Sequence, residues 1–423
     1  MKTVLIAVGS RGDVLPQIHL ANHLTRTGNE AVLVTVDDQL PLATEHGLDA
    51  ISAAPGFSFM GSGTGFDESR RTRFENPLGT LTELRAIMRN LAEPMGNLLD
   101  DLVEDGDTVL HGVLGAGAAT ALGATRPCRI IQVTFAATVP TAFGPSYISA
   151  PFPSRQSRVN LHASRMAHRF FMGLGRPPGE VIADNHGQHW TSGDIHHAVM
   201  RNPTLVATSP LLAPPAPDWG EFVKVTGAWH PPPSLTTTTQ DVPGALQDFL
   251  AAGPAPVYIG FGSAVARDPI ADLTVFAQSA ARAGVRLVMR RSDWSTGATP
   301  CFGDDVLVVD TVPHNWLFPQ MAAIVHHGGA GTTVAALRAA VPSSVVWHNV
   351  DQPAHARRCA ALGVGPLGFA KSKLTDDRLS RLLIELTQDS HGYREAAHAV
   401  SQQLSLETGL LTAADSLRRW GAL

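Results

Sequence analysis

"VHHGGAGTTVAAL" (325–337) runs from an apolar, strand-like stretch through three glycines, an alanine and two threonines into a helical pattern. Gly328, Gly329 and Gly331 let backbone N–H groups approach an anion closely. A helix beginning there adds the partial positive charge of its N-terminus, and the hydroxyls of Thr332 and Thr333 can donate to phosphate oxygens. His327 supplies a further donor. Glycines alone would read equally well as a tight strand-to-helix turn capped by Thr332. The His pair, the glycines and the threonines together favour a diphosphate site. No lysine follows the last glycine, so this is not a Walker A loop.

Moving outward, the same strand-then-helix rhythm fills both halves of the chain. "TVLIAVG" (3–9), "EAVLVTV" (30–36), "DAISAA" (49–54), "DTVLHGV" (107–113) and "RIIQVTF" (129–135) precede it. "VYIGFGS" (257–263), "VRLVMR" (285–290), "VLVVD" (306–310), "AAIVHH" (322–327) and "SSVVW" (343–347) surround it. Continuous apolar runs separated by helices indicate parallel sheets covered on both faces. The expected fold class is α/β, with two Rossmann-like domains over 1–230 and 244–405. A Pro- and Thr-rich linker lies over 231–243.

The first βα turn, "GSRGDVLP" (9–16), has only two glycines and places Asp13 where a pyrophosphate would sit, which argues against ordinary dinucleotide binding there. Asp13 reads either as a helix cap or as a base facing a substrate. Asp37 or Asp38, ending the second strand, is a weaker ribose-binding candidate. "WHNVDQPAHA" (347–356) sets Asp351 and Gln352 after a strand's C-terminal end, where ligands of open α/β sheets bind; their acceptors and donors suit vicinal hydroxyls. An Asp capping the helix that Pro353 begins is the other reading. Two loops too long for βα connectors, 57–74 and 138–158, are candidate functional loops.

Composition excludes other classes. A net charge of −5 gives no field that would draw the chain to nucleic acid. Three scattered cysteines form neither a disulfide framework nor a zinc spacing, which fits a reducing compartment. The apolar run after Lys2 is too short for a signal peptide, and no stretch reaches the roughly 20 apolar residues of a membrane span. The expected location is cytoplasmic. "DGD" (105–107) reads as an Asp-Gly turn, and His186, His189, His196 and His197 as surface or acceptor-side residues, so no metal site is expected. No Asp or Glu occurs from Thr108 to Gly179, while Arg155, Arg158, Arg165 and Arg169 alternate with apolar residues. Residues 155–171 are therefore either a basic helix packed on the domain or an amphipathic one making weak membrane-surface contact.

"GSRGDVLP", "SPLLAPPAPDWGEFVKVTGAWH", "YIGFGS", "VDTVPHNWLFPQMAAIVHHGGAGTTVAALRAAVP" and "DQPAHARRCAALGVGP" resemble, in order and over nearly the whole chain, the nucleotide-sugar-dependent glycosyltransferases of the GT-B fold. The sterol glucosyltransferases, glycopeptide glycosyltransferases and bacterial rhamnosyltransferases form the most similar subgroup. The resemblance implies two facing domains with a cleft between them, and a last helix within 406–423 crossing back to the first domain. It implies a UDP- or dTDP-sugar as donor substrate, no tightly bound cofactor, and a hydrophobic small-molecule acceptor such as a natural-product aglycone, sterol-like compound or lipid. His327, Gly329, Gly331 and Thr332 fall where the family grips the donor diphosphate, Asp351 and Gln352 where it holds sugar hydroxyls, and Val312 where a backbone group pairs with the base. Gly262 and Ser263 fall in a loop over the phosphates, with Ser10, Arg11 and Trp294 as further donor-side candidates. Phe57, Phe135, Phe143 and Tyr147 are the aromatic candidates on the acceptor side. Asp13 falls where plant members carry a catalytic histidine; their paired acid has no counterpart in "VLHGV", so an Asp13 base would act without it. An inverting, metal-independent hexosyl transfer is the leading expectation. A sugar-nucleotide epimerase and a non-catalytic nucleotide-sugar-binding auxiliary are the alternatives.

Overall fold

The computed structural model describes residues 1–58, 77–230, 242–261, 268–291, 301–310, 312–348, 351–388 and 391–423. The chain divides into two compact units, Met1–Pro231 with Thr408–Leu423, and Pro232–Glu407.

The first unit runs β1 (Thr3–Ile6), α1 (Arg11–Arg26), β2 (Ala31–Thr35), α2 (Leu40–Glu45), β3 (Ala50–Ser52), α3 (Pro77–Asn90), α4 (Ala92–Leu102), β4 (Thr108–His111), α5 (Ala116–Thr125), β5 (Arg129–Thr134), α6 (Arg158–Met172), α7 (Arg176–Asn185), α8 (Ser192–Val199), β6 (Thr204–Val206) and β7 (Val223–Val225). Its strands form one parallel sheet in the order β3-β2-β1-β4-β5-β6-β7. Successive side chains of β1 enter opposite faces. Val4 and Ile6 pack with Met95, Leu99, Leu122 and Ile182, while Leu5 packs with Val14, Ile18, Leu24 and Leu110. Both faces are covered, so the strand needs an unbroken apolar run rather than an alternating one.

Strands β6 and β7 depart from the sequence expectation. Both are three residues long, and neither is among the apolar runs that the sequence marks as strands. They extend an existing sheet edge through backbone pairing, Thr204 to Val223 and Gln132 to Thr204, which needs little side-chain pattern. Trp229, just beyond, is only 1% exposed and belongs to the core.

The second unit runs α9 (Gly244–Ala251), β8 (Val257–Gly260), α10 (Pro269–Ala283), β9 (Leu287–Arg290), β10 (Val306–Val309), α11 (His314–Leu317), β11 (Ala323–His326), α12 (Ala330–Arg338), β12 (Ser343–Val345), α13 (Gln352–Ala361), α14 (Asp376–Gln388) and α15 (Tyr393–Ser405). Its parallel sheet has the order β10-β9-β8-β11-β12. The order reverses at β8, the kind of switch point beside which ligands bind in open α/β sheets.

The last helix, α16 (Gly409–Arg419), returns to the first unit. Leu410, Ala413, Ala414 and Leu417 join the core beneath α1, and Thr108 Oγ1 donates to the Ala422 carbonyl at 2.9 Å. A Cβ on Gly409 would lie 2.2 Å from the Ala228 carbonyl oxygen, so the close seat requires glycine.

Candidate functional site

The loop between β11 and α12 is built around Gly328, whose φ of +89° is rarely open to other residues. A Cβ there would also strike Val345 Cγ1 at 2.6 Å and Gln352 Cβ at 3.1 Å. Gly328 thus seats the loop against the start of α13. The Gly328 carbonyl accepts from His355 Nδ1 at 2.7 Å, and Gln352 Oε1 accepts the His348 N–H at 2.7 Å. Two separate stretches of the chain, 327–332 and 351–355, are thereby brought together at the C-terminal edge of the sheet.

Gly329 is the N-cap of α12, in extended conformation, and its side-chain position would meet His327 Nε2 at 2.4 Å. Helix geometry leaves the amides of residues 330–332 without intrahelical partners. Thr332 is half-buried beside them. Thr333 differs from expectation: it is fully buried and donates its hydroxyl to the Gly329 carbonyl at 2.9 Å, so it stitches the helix start rather than facing a ligand.

Four histidines crowd this edge. His326 Nδ1 accepts the Gly328 N–H at 3.1 Å, which leaves the proton on its buried Nε2. His326 Nε2, His327 Nδ1 and His348 Nε2 are buried with no hydrogen-bond partner among the described residues. Burial, then the neighbouring His348, holds His327 down at about 3, and burial holds His348 at about 4. Both rings are therefore neutral near pH 7 and can donate without adding charge. The positive potential comes from the helix N-terminus, worth about 0.3–1 kcal/mol for an anion, and from Arg290 at the end of β9, whose charge reaches His327. His348, His355 and Arg290 are the participants that sequence reasoning missed. Their signal was available, since each lies at or just after the C-terminal end of a parallel strand or on the helix that follows.

Asp351 is the N-cap residue of α13 and lies 3.7 Å from His355 Nδ1. The Val312 side chain is buried with Leu317 and Phe318, leaving only its backbone for a ligand. Gly262, Ser263 and Trp294 lie outside the described residues.

In the first unit, Ser10 is the N-cap of α1 and Asp13 is its third residue. Asp13 Oδ2 accepts both the Ser10 N–H at 2.9 Å and the Ser10 hydroxyl at 2.8 Å. The carboxylate is half-buried and oriented by its own helix start; Arg11 is exposed. Gly9, with φ +149°, would push a Cβ to within 2.6 Å of that same Oδ2, so its lack of a side chain leaves Asp13 room to fold back. His111, ending the adjacent strand β4, is fully buried, held down to about 4 by burial, and leaves Nε2 unpartnered. Asp37 is committed to its own loop, accepting from Ser52 Oγ and from the Gly56 N–H.

The aromatic candidates separate. Phe57 and Phe135 are half-buried, Phe135 standing edge-on to Trp229 at 6.0 Å. Phe143 is half-buried in a bridge to Gln156. Tyr147 is 4% exposed and its burial raises the phenol to about 12, a packing residue. His196 is buried on α8, its Nδ1 2.9 Å from His168 Nδ1, not on the surface. Asp107 accepts the Lys2 and Glu104 N–H groups, both at 2.9 Å, in a turn with Gly106 at φ +85°. Among the described residues no group of three or more His, Cys, Asp or Glu could hold a metal ion, and no helix is long and apolar enough to cross a membrane.

Two doubly wound parallel-sheet domains, the second with an anion-type loop at its strand ends, define an α/β architecture of the GT-B kind, and the chain belongs to the GT-B-fold glycosyltransferases. An uncharacterised glycosyltransferase of Mycobacterium leprae is 30% identical over 375 residues, covering 86% of this chain and 84% of that one. The vancomycin aglycone glucosyltransferase of Amycolatopsis orientalis is 29% identical over 413 residues, covering 92% and 91%. The sterol 3-beta-glucosyltransferase of Eremothecium gossypii is 28% identical over 440 residues; the match takes in 97% of this chain but spans only 33% of the length of that protein. Residues 278–408 match the C-terminal domain of the erythromycin biosynthesis protein CIII-like family. The glycosyltransferase VinC, solved with dTDP, superposes with a TM-score of 0.64 at 20% identity over 99% of both chains.

Proposed function

We propose that the chain transfers a sugar from a UDP- or dTDP-sugar to a hydroxyl of a hydrophobic small molecule, a sterol-like compound or antibiotic aglycone, with inversion at the anomeric carbon and without a metal. The observation that carries this reading is the junction of the 327–332 loop with the start of α13 through Gly328. It sets open helix amides, neutral imidazoles and the Asp351–Gln352 pair within one strand-end region. The amides and imidazoles suit the diphosphate, which leaves with the electron pair of the broken bond and so with one more negative charge than it carries in the sugar nucleotide; Asp351 and Gln352 suit the sugar hydroxyls. The acceptor class is supported by the names of the sterol and vancomycin aglycone relatives.

In this mechanism Asp13 removes the acceptor hydroxyl proton as the oxygen attacks the anomeric carbon. Ser10 holds the carboxylate through Oδ2, and the carboxylate takes up the proton. The stretch where the plant members carry the paired acid holds His111, neutral and buried, and no carboxylate, so the base works through position alone. Positioned acid–base catalysis of this kind contributes about 10²–10⁴ in rate. Electrostatic stabilisation of the leaving diphosphate contributes further.

Thermal-shift titration with UDP, dTDP and their sugars tests the donor half, and mass detection of glycosylated sterols or aglycones tests the acceptor half. Stabilisation by neither nucleotide refutes the donor reading. Conversion of the donor without any acceptor replaces transfer by epimerisation.

A further inference from the structure

Helix α6 turns three polar side chains inward while leaving three apolar ones exposed. Its buried stripe, four residues apart, is Asn160, Ser164, His168 and Met172. The exposed side carries Val159 (52% exposed), Met166 (75%) and Phe170 (40%), with Phe152 (37%) just ahead of the helix. Arg155, Arg158, Arg165 and Arg169 are all exposed around them.

This orientation is fixed by specific bonds. Asn160 Nδ2 donates to the carbonyls of Ala142, Phe152 and Arg155 at 2.9–3.2 Å, and its Oδ1 accepts the Phe152 N–H at 2.9 Å. Ser164 Oγ accepts the Thr141 N–H at 3.1 Å and donates to the Thr141 carbonyl at 3.3 Å. His168 Nδ1 pairs with His196 of α8 at 2.9 Å. Rolling the helix to hide Met166 and Phe170 would strand every one of these buried polar groups. The apolar side chains are therefore held in water by the fold.

Arginines lie close to the exposed rings. The Arg155 guanidinium lies 4.2 Å from the centre of the Phe152 ring, and Arg85 of α3 lies 5.5 Å from that of Phe170. No carboxylate occurs between Thr108 and Gly179. Asp194, at the start of the adjoining α8, is engaged by the Thr191 N–H at 2.8 Å and hydroxyl at 2.6 Å.

We propose that this face of α6 docks on an anionic lipid surface, with Val159, Met166 and Phe170 entering the headgroup–acyl boundary and the arginines pairing with lipid phosphates. Apolar side chains interleaved with arginine fit that boundary. A second copy of the chain would bring the same positive face against itself, which charge repulsion opposes. The inference stands whether or not the acceptor is lipid-like.

Flotation of the purified protein with phosphatidylcholine vesicles, with and without phosphatidylserine, tests it. The unmodified protein should float with the phosphatidylserine vesicles only, and less so as salt rises. Arg158→Gln with Arg165→Gln should weaken partitioning about fivefold per arginine. Met166→Ser with Phe170→Ser should weaken it about tenfold or more. All four positions are exposed, so melting temperatures should not move, which separates lost docking from lost folding. No flotation with phosphatidylserine vesicles, or flotation of both variants equal to that of the unmodified protein, overturns the proposal. So does a concentration-dependent dimer in sedimentation that Met166→Ser abolishes, since a second copy then covers the face.

Discussion

Replacing Asp13 by Asn separates the two things this side chain can do. Its Oδ2 accepts from the Ser10 backbone and hydroxyl at 2.9 and 2.8 Å. An amide oxygen can keep the backbone bond, so what is lost structurally is the carboxylate's charge near a helix N-terminus, about 0.3–1 kcal/mol. For a domain of this size that lowers the melting temperature by about 1–4 °C. Proton removal, in contrast, vanishes outright. A base worth about 10²–10⁴ in rate corresponds to about 2.7–5.5 kcal/mol of transition-state stabilisation. The assay is kcat/KM for formation of the glycosylated acceptor, read beside a melting curve and a nucleoside diphosphate titration. The expected result is a rate loss of at least a hundredfold with the nucleotide affinity unchanged. A kcat/KM within a few fold of the unmodified enzyme would refute the reasoning and leave Asp13 as a helix-start residue.

Gly329→Ala places a methyl group 2.4 Å from His327 Nε2, and calorimetry should show nucleoside diphosphate affinity falling about tenfold or more while the fold survives. Gly9→Ala meets both a φ of +149° and Asp13 Oδ2 at 2.6 Å; the strain should lower stability by about 1–3 kcal/mol in urea and reduce transfer at the same time. His111 is held at about 4 against an ordinary 6.5, so the folded state binds fewer protons than the unfolded one between those values. Its contribution is complete above pH 6.5 and is lost as pH falls toward 4, about 2 kcal/mol by pH 5. His111→Gln should flatten the acid limb of a plot of urea midpoint against pH by that amount. Gly409→Val drives side-chain atoms into the Ala228 carbonyl and should lower stability by about 1–3 kcal/mol, measured by urea unfolding.

Legibility followed side-chain pattern. Strands β1, β2, β4, β5 and β8 to β12 are buried on both faces and announce themselves as apolar runs. β6 and β7 are held by backbone pairing at an edge, which leaves almost no mark in three residues. In the site, glycine density pointed to the 327–332 loop, and the structure supplies a reason for Gly328 and Gly329, whereas a Cβ on Gly331 would meet nothing within 4 Å. The sequence could not tell Thr332 from Thr333, because which hydroxyl turns inward depends on the helix phase that Gly329 sets. Nor could it show that the imidazoles of His326, His348 and His355 converge, since that follows from the order of β8, β11 and β12 in the sheet. In α6 the arginine spacing was visible, but the inward turn of Asn160 and Ser164 depends on the 141–155 loop they hold, and that of His168 on His196 of α8.

The return of α16 to the first unit bears on how the chain is made. Residues 409–419 fill a core begun by residues 4–24, yet they leave the ribosome only after the whole second unit. The second unit can close as soon as it emerges. The first must wait with Leu5, Ile18 and Leu24 incompletely covered, so the segment synthesised first is completed last. That interval exposes apolar surface and favours aggregation. Slowing elongation within 232–407 should therefore lengthen the vulnerable period of the first unit, not of the second.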